Sequence, residues 1–548
     1  MVTRRAFHKG LLGLALASLA APRVSANFGA NGASAYLNRL TYGATAESLA
    51  EFDRLGLDGW LENQLAMPES DPALDARIAA ARLHIEYEAG ESDTGEPWAA
   101  MDEMRFYRLL DAPAAELVKF MDFDLPFDFA ERERAGNEVI AASFIRATHA
   151  EGQLREIMAQ FWHNHFSANA LKDVETAAFY PAYDRIMRRH ALGNFRAMLG
   201  AVSRAPTMLY YLNNASSRAS PSNENYAREL LELHTMGAHN YLNDQYDNWH
   251  DVPGAEDGLA IGYIDQDVYE VARAFSGWTV GDGEWLDDGT DKPETGEFFY
   301  ATLWHDPYQK RILGVEFNAN AAPMSDGNKV LDILAAHPAT ARFITEKILR
   351  RLGIETPSEA FKAGIAEVFA NAVNDEDQIA QVIRAIVLSE EFATTTPNKL
   401  RTPFEFLIAL FRATGTQVKE PQLDLYWQLE RAGWTQHQVR PPTGHSDHSA
   451  DWANTRALNS MVDFALYAHD GYLEGIEFSP KVAVKTWGEY GAHWAHALQA
   501  PPAIVKAFLK GMELDRNDPL PFDDDDYLLW GANNVIALAA LTPQFMFR

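Results

Sequence analysis

Apolar residues three and four positions apart recur in segment after segment of this chain. A chain so patterned has to bury helix faces against one another. The pattern predicts helices over 46–55 and 57–65, then over 133–149, 152–162, 180–191, 194–203, 225–236 and 265–275. It continues over 328–335, 338–352, 357–372, 376–389, 403–415 and 452–469, and most of these segments end near Gly, Pro or Asn. Strand candidates are few, 277–280 and 298–303, and read as one hairpin. The expected fold class is therefore all-α, a large helical body with a minor β-hairpin. Segments 88–97, 240–262, 281–296 and 433–451 are rich in Gly, Asp, Pro and His and read as long surface loops. The expected organisation is a leader over 1–26, a motif-rich helical part over 27–320, and a helical part over 321–548 packed with it as one body.

The leader reading rests on Thr3-Arg4-Arg5-Ala6-Phe7-His8-Lys9, a basic stretch with paired arginines. An apolar run from Leu11 to Ala21 follows, and Val24-Ser25-Ala26 offers small residues for cleavage after Ala26. The run is about half the ~20 residues that a membrane span needs. Arg4-Arg5 points to the twin-arginine route, so the mature protein is expected to be periplasmic or secreted, with no membrane association once the leader is removed.

Composition narrows the chemistry. The net charge is −30, and the leader holds four basic residues and no acid, so its removal leaves the chain four units more negative. A surface that acidic argues against nucleic acid and anionic lipid as partners. There is no cysteine, which excludes disulfides, thiolate metal sites, Fe–S clusters, covalent c-type haem and cysteine nucleophiles. Any metal has to be held by nitrogen and oxygen, which suits Zn, Mn, Fe or Cu.

Three constellations offer such groups. In Phe161-Trp162-His163-Asn164-His165-Phe166, His163 and His165 would lie about 200° apart on a continuous helix, so they share a ligand only if the helix ends there. In Asn223-Glu224-Asn225-Tyr226-Ala227-Arg228-Glu229-Leu230-Leu231-Glu232-Leu233-His234, a helical wheel puts Glu224, Arg228, Glu232, Asn225 and Glu229 on one polar stripe. His234 falls on the opposite, apolar side. The stripe reads either as a solvated face, its Glu224–Arg228 pair worth a few tenths of a kcal/mol, or as functional carboxylates. In Trp304-His305-Asp306-Pro307, His305 is either a general base at a strand end or part of a turn. His337 before Pro338 reads as a helix cap, His437, His445 and His448 as adventitious metal binders in a loop, and Asp523 to Asp526 as a solvated acidic turn.

These segments, with Leu37-Asn38-Arg39-Leu40-Thr41-Tyr42-Gly43, Ala272-Arg273-Ala274-Phe275-Ser276-Gly277-Trp278, His337-Pro338-Ala339-Thr340-Ala341-Arg342-Phe343 and Arg401-Thr402-Pro403-Phe404-Glu405, resemble the bacterial family catalogued as domain of unknown function 1800. The resemblance implies an exported protein and carries no established activity. It also implies the company of a second exported family that resembles sulfatases. Family members often have phenylalanine where this chain has His234, which agrees with the wheel.

Two functions follow as expectations. One is a metal-dependent hydrolase or oxidase, with Glu224, Glu229, Arg228 and His305 as catalytic groups and His163, His165 and Glu229 holding a divalent metal. A metal-free variant with paired carboxylates acting on a glycan stays open beside it. The other is a non-catalytic binding or assembly protein partnering an exported, sulfatase-like protein.

Overall fold

The computed structural model describes residues 32–471 and 473–548, so the leader read from the sequence lies outside the described residues. The fold is mainly α, as the periodicity predicts, with only short antiparallel strand pairs among the described residues. The elements that build the site are, in chain order, β1 (Arg82–Tyr87), β2 (Met101–Phe106), α1 (Arg134–His149), α2 (Gln153–His165), α3 (Val174–His190), α4 (Glu224–Glu229) and α5 (Asp265–Ala274). After them come β3 (Trp278–Asp282), β4 (Glu294–Tyr300), α6 (Ser325–Ala336), α7 (Pro338–Arg351) and α8 (Pro403–Thr414).

Local chemistry sets these boundaries. Asp173 caps α3 by accepting from Thr176 N, and Thr402 with Glu405 forms a reciprocal capping box on α8. His337 caps α7: its ring accepts from Ala339 N while Nε2 donates to the Ala260 carbonyl. The capping role read from His337-Pro338 is thus what the fold uses.

The hairpin read from the sequence is β3 with β4, in antiparallel register from Trp278 opposite Tyr300 to Asp282 opposite Glu294. A second ribbon, β1 with β2, pairs Arg82 with Phe106 through to Tyr87 with Met101 and flanks the segment read as a loop at 88–97. The predicted helix over 225–236 departs from its wheel. After α4 the backbone widens into a π-helix over Leu230–Thr235, where Thr235 Oγ1 donates to the Leu230 carbonyl at 2.6 Å.

One apolar core runs from Leu37 at the start of the described chain to Met546 near its end. The resemblance motifs at the two ends interlock there. Arg39 donates to the carbonyls of Leu352 and Phe392, and Arg401 donates to Asn38 Oδ1 and the Phe545 carbonyl. Glu405 accepts from Arg351 at 2.6 Å and Arg548 at 2.7 Å.

Candidate functional site

Helix α2 closes at the aromatic-histidine motif, where Trp162 is fully buried. Its indole donates to the Ala191 carbonyl at 3.0 Å. The three polar residues that follow leave the helix end toward three different sets of partners.

His163 turns inward. Its Nε2 donates to Asp184 Oδ1 at 2.9 Å, Asp184 accepts from Arg188 at 2.9 Å, and Arg188 meets both Glu156 oxygens at 2.6 Å. The ring of His437 packs 4.3 Å from that of His163. Burial depresses the His163 pKa, against the pull of Asp184. Burial alone would raise Asp184, yet Arg188 and His163 hold it well below the usual carboxylate range. The result is a buried, charge-paired network tying α2 to α3.

Asn164 turns toward the segment over 433–451, which folds down onto α2. Its Nδ2 donates to the His445 carbonyl at 2.8 Å and its Oδ1 accepts from His445 N at 2.7 Å. The approach is close enough that a Cβ on Gly444 (φ +71°) would stand 2.2 Å from the Asn164 carbonyl oxygen. His445 itself stacks on Trp434, ring centroids 4.2 Å apart, and its ring accepts from Thr435 N.

His165 turns toward α7. Its Nε2 donates to the His234 carbonyl at 3.1 Å, which leaves Nδ1 as the acceptor for the Lys347 amine at 2.8 Å. Burial, with Lys347 close by, lowers its pKa well below that of a free histidine, so the ring is neutral.

Between α2, α7 and the folded-down segment lies a cavity of about 180 Å³ whose walls include His165, Lys347, Arg350, Arg351, Asp447 and Trp434. Lys347, Arg350 and Arg351 follow one another at helical spacing, three and four residues apart. Arg350 Nε and Arg351 Nε and Nη2 are buried without a hydrogen-bond partner among the described residues. Burial pushes the Lys347 pKa down to about 8; Arg350 adds to that and Asp447 opposes it. In a chain of net charge −30 this is a cationic hollow with donors to spare.

The other residues singled out from the sequence lie elsewhere. Arg228 pairs with Asp265 at 3.1 Å and only loosely with Glu224, at 3.9 Å. The two asparagines of that motif are structural: Asn223 caps α4, and Asn225 donates to the Leu212 carbonyl. Glu229 is half-buried with no hydrogen bond or ion pair among the described residues. Its pKa is raised by burial and then by Glu232, while Arg228 opposes.

His305 binds the Ser276 carbonyl through Nδ1 at 2.9 Å and faces Asp326 through Nε2 at 3.4 Å. Ser276, His305 and Asp326 stand in a row, but the Ser276 hydroxyl already donates to the Arg273 carbonyl at 2.6 Å and is buried. The neighbouring Asp306 is taken by Arg273, at 2.8 and 3.1 Å. That row is therefore a packing network and not a nucleophile relay.

His163 and His165 share no partner, and no hydrogen bond or ion pair joins either to Glu229. Among the described residues no three His, Asp or Glu side chains gather in a way that could hold a metal ion. The residues named for a divalent metal do not fit one together in this arrangement. His437 and His445, read as adventitious binders, are spent on packing and on Thr435.

His234 is buried with neither ring nitrogen partnered among the described residues, 5.2 Å from the Phe166 ring, and burial lowers its pKa to about 3. An imidazole kept there costs its unmet hydrogen bonds. His234→Phe is expected to leave stability unchanged or raise it by about 1 kcal/mol in urea unfolding. A loss of more than that would mean the nitrogens have partners after all.

The chain matches the family described as "Protein of unknown function (DUF1800)" over residues 35–547. It belongs to that family. No curated protein and no solved structure matches it. Lys347, Arg350 and Arg351 share a face of α7 by spacing, but basic residues near a helix end are commonplace and nothing in the sequence sets these three apart.

Proposed function

We propose that this DUF1800 protein is exported and binds a small molecule through an anionic group in the cavity under the 433–451 segment. The observation that carries the reading is the cationic lining of that cavity, Lys347, Arg350 and Arg351 on one face of α7. A buried N–H without an acceptor costs about 1–3 kcal/mol, and an oxyanion is the ligand that relieves it. Guanidinium groups bind carboxylate, phosphate and sulfate through paired hydrogen bonds, and Lys347 adds a point charge beside them. The cavity supplies fixed positive charge where the hydrolase expectation had placed a metal. It serves the binding and the enzymatic expectation equally.

The test is thermal unfolding of the full chain in sulfate, phosphate or small carboxylates, against chloride at equal ionic strength. Saturating anion is expected to add about 2–3 kcal/mol of stability, and Arg350→Met to abolish the gain. An equal response to chloride would sink the idea. Because Lys347 loses its proton as pH rises through about 8, anion affinity is expected to weaken above that pH.

A further inference from the structure

We infer that the Lys347 amine is a nucleophile toward carbonyl compounds, and that the ligand is a small aldehyde or ketone carrying an anionic group. The inference rests on the anion-binding reading and adds to it a covalent bond.

The ground is what Lys347 is bonded to. Three other lysine amines are deeply buried in the described chain, and each has a carboxylate against it. Lys292 has Asp282 at 2.7 Å, Lys310 has Asp326 at 2.8 Å, and Lys399 has Asp447 at 2.6 Å. Lys347 has instead a neutral imidazole nitrogen, His165 Nδ1 at 2.8 Å, while Asp447 and then Arg350 act on it in opposite directions without a direct ion pair among the described residues. The imidazole is fixed as an acceptor because its other nitrogen is committed to the His234 carbonyl.

One amine hydrogen is therefore aimed at His165, on a side chain that lines the cavity. A lysine buried in a partly dry pocket with no carboxylate bonded to it releases its proton more readily, and such lysines form Schiff bases. His165 acts as a positioning residue that holds the amine and leaves its lone pair toward the ligand.

The chemistry balances without a further reactant. The nitrogen lone pair attacks the carbonyl carbon and the C–N bond forms. The carbonyl oxygen leaves as water, carrying the two hydrogens that the amine gives up, and C=N replaces C=O. Arg350 and Arg351 meanwhile bind the anionic group. That selects an oxo acid or a phosphorylated aldehyde over a neutral carbonyl compound.

The experiment is reductive trapping on the full, unmodified chain. Glyoxylate with cyanoborohydride at about pH 8 converts any imine to a stable adduct, located by peptide mass spectrometry. An ordinary exposed lysine is almost fully protonated at that pH. Lys347 is therefore expected to be labelled roughly tenfold faster than the exposed Lys419, Lys481 and Lys510, with sulfate slowing it. Its labelling rate should level off above about pH 8, and His165→Phe should move that pH profile.

Thermal stabilisation by glyoxylate without preferential labelling of Lys347 would overturn the nucleophile and leave the anion pocket standing. Equal labelling of Lys347 by acetaldehyde and glyoxylate would keep the nucleophile and overturn the anionic ligand class. Neither stabilisation nor labelling would remove both.

Discussion

Replacing Glu405 with alanine is expected to cost about 3–5 kcal/mol, enough to bring a chain of ordinary stability close to unfolding. The carboxylate is buried, and Arg351 at 2.6 Å, Arg548 at 2.7 Å and the Thr402 backbone N–H at 3.0 Å all converge on it. Burial on its own would raise its pKa; Arg548, Arg351 and Lys399 instead drive it far below the usual carboxylate range. Without it, two guanidinium groups and a lysine face one another in the core with one remaining acid, Asp447, near them. Urea unfolding of the alanine variant measures the cost. A value under about 1 kcal/mol would mean that water or relaxation replaces the carboxylate.

The second large effect is acid sensitivity. Burial lowers the pKa of His234 and His469 to about 3 and of His149 and His445 to about 4. In the unfolded chain each takes up a proton near pH 6.5. Below that pH the unfolded state binds more protons than the folded one, so stability falls as pH falls. The full contribution is present above about pH 6.5. For the two most buried rings, His234 and His469, the loss approaches roughly 1.4 kcal/mol per ring for each further pH unit. Glu405 works in the same direction at lower pH: its stabilisation is complete above the free carboxylate value and disappears as the unfolded chain protonates. Cooperative unfolding between about pH 6 and pH 4 is the expected result, read by circular dichroism. Unchanged urea stability across that interval would contradict neutral burial of these rings.

The helical class was legible because each helix writes its period in adjacent residues, as 403–415 does with Phe404, Leu407, Ile408 and Phe411. The β3–β4 hairpin showed through Trp278, Val280 and Phe298. The β1–β2 ribbon was hidden by its composition. His84, Glu86 and Asp102 lie on its exposed face, and the ribbon is anchored in part by a distant side chain, Gln422, that accepts from His84 N. The π-helix after α4 leaves no sequence mark, since it is set by what Thr235 and Met236 meet in the fold.

The site was half legible. The histidine motif was found, but the partner that gives His165 its role lies 182 residues away. Basic residues near the end of a helix are commonplace complements to its dipole, so Lys347, Arg350 and Arg351 carried no mark of their own. His163 and His165 looked alike in sequence, yet one is scaffold and the other faces the cavity.

The Asn164 clamp links residues 281 positions apart along the chain. The cavity's floor, its charged wall and its cover thus come from three remote stretches, and no fragment holding one or two of them encloses the space. Closing loops of that length makes assembly a late event in folding, governed by topology more than by local propensity. A ligand that fills the finished cavity would accordingly act on the rate of opening and leave the rate of folding nearly untouched.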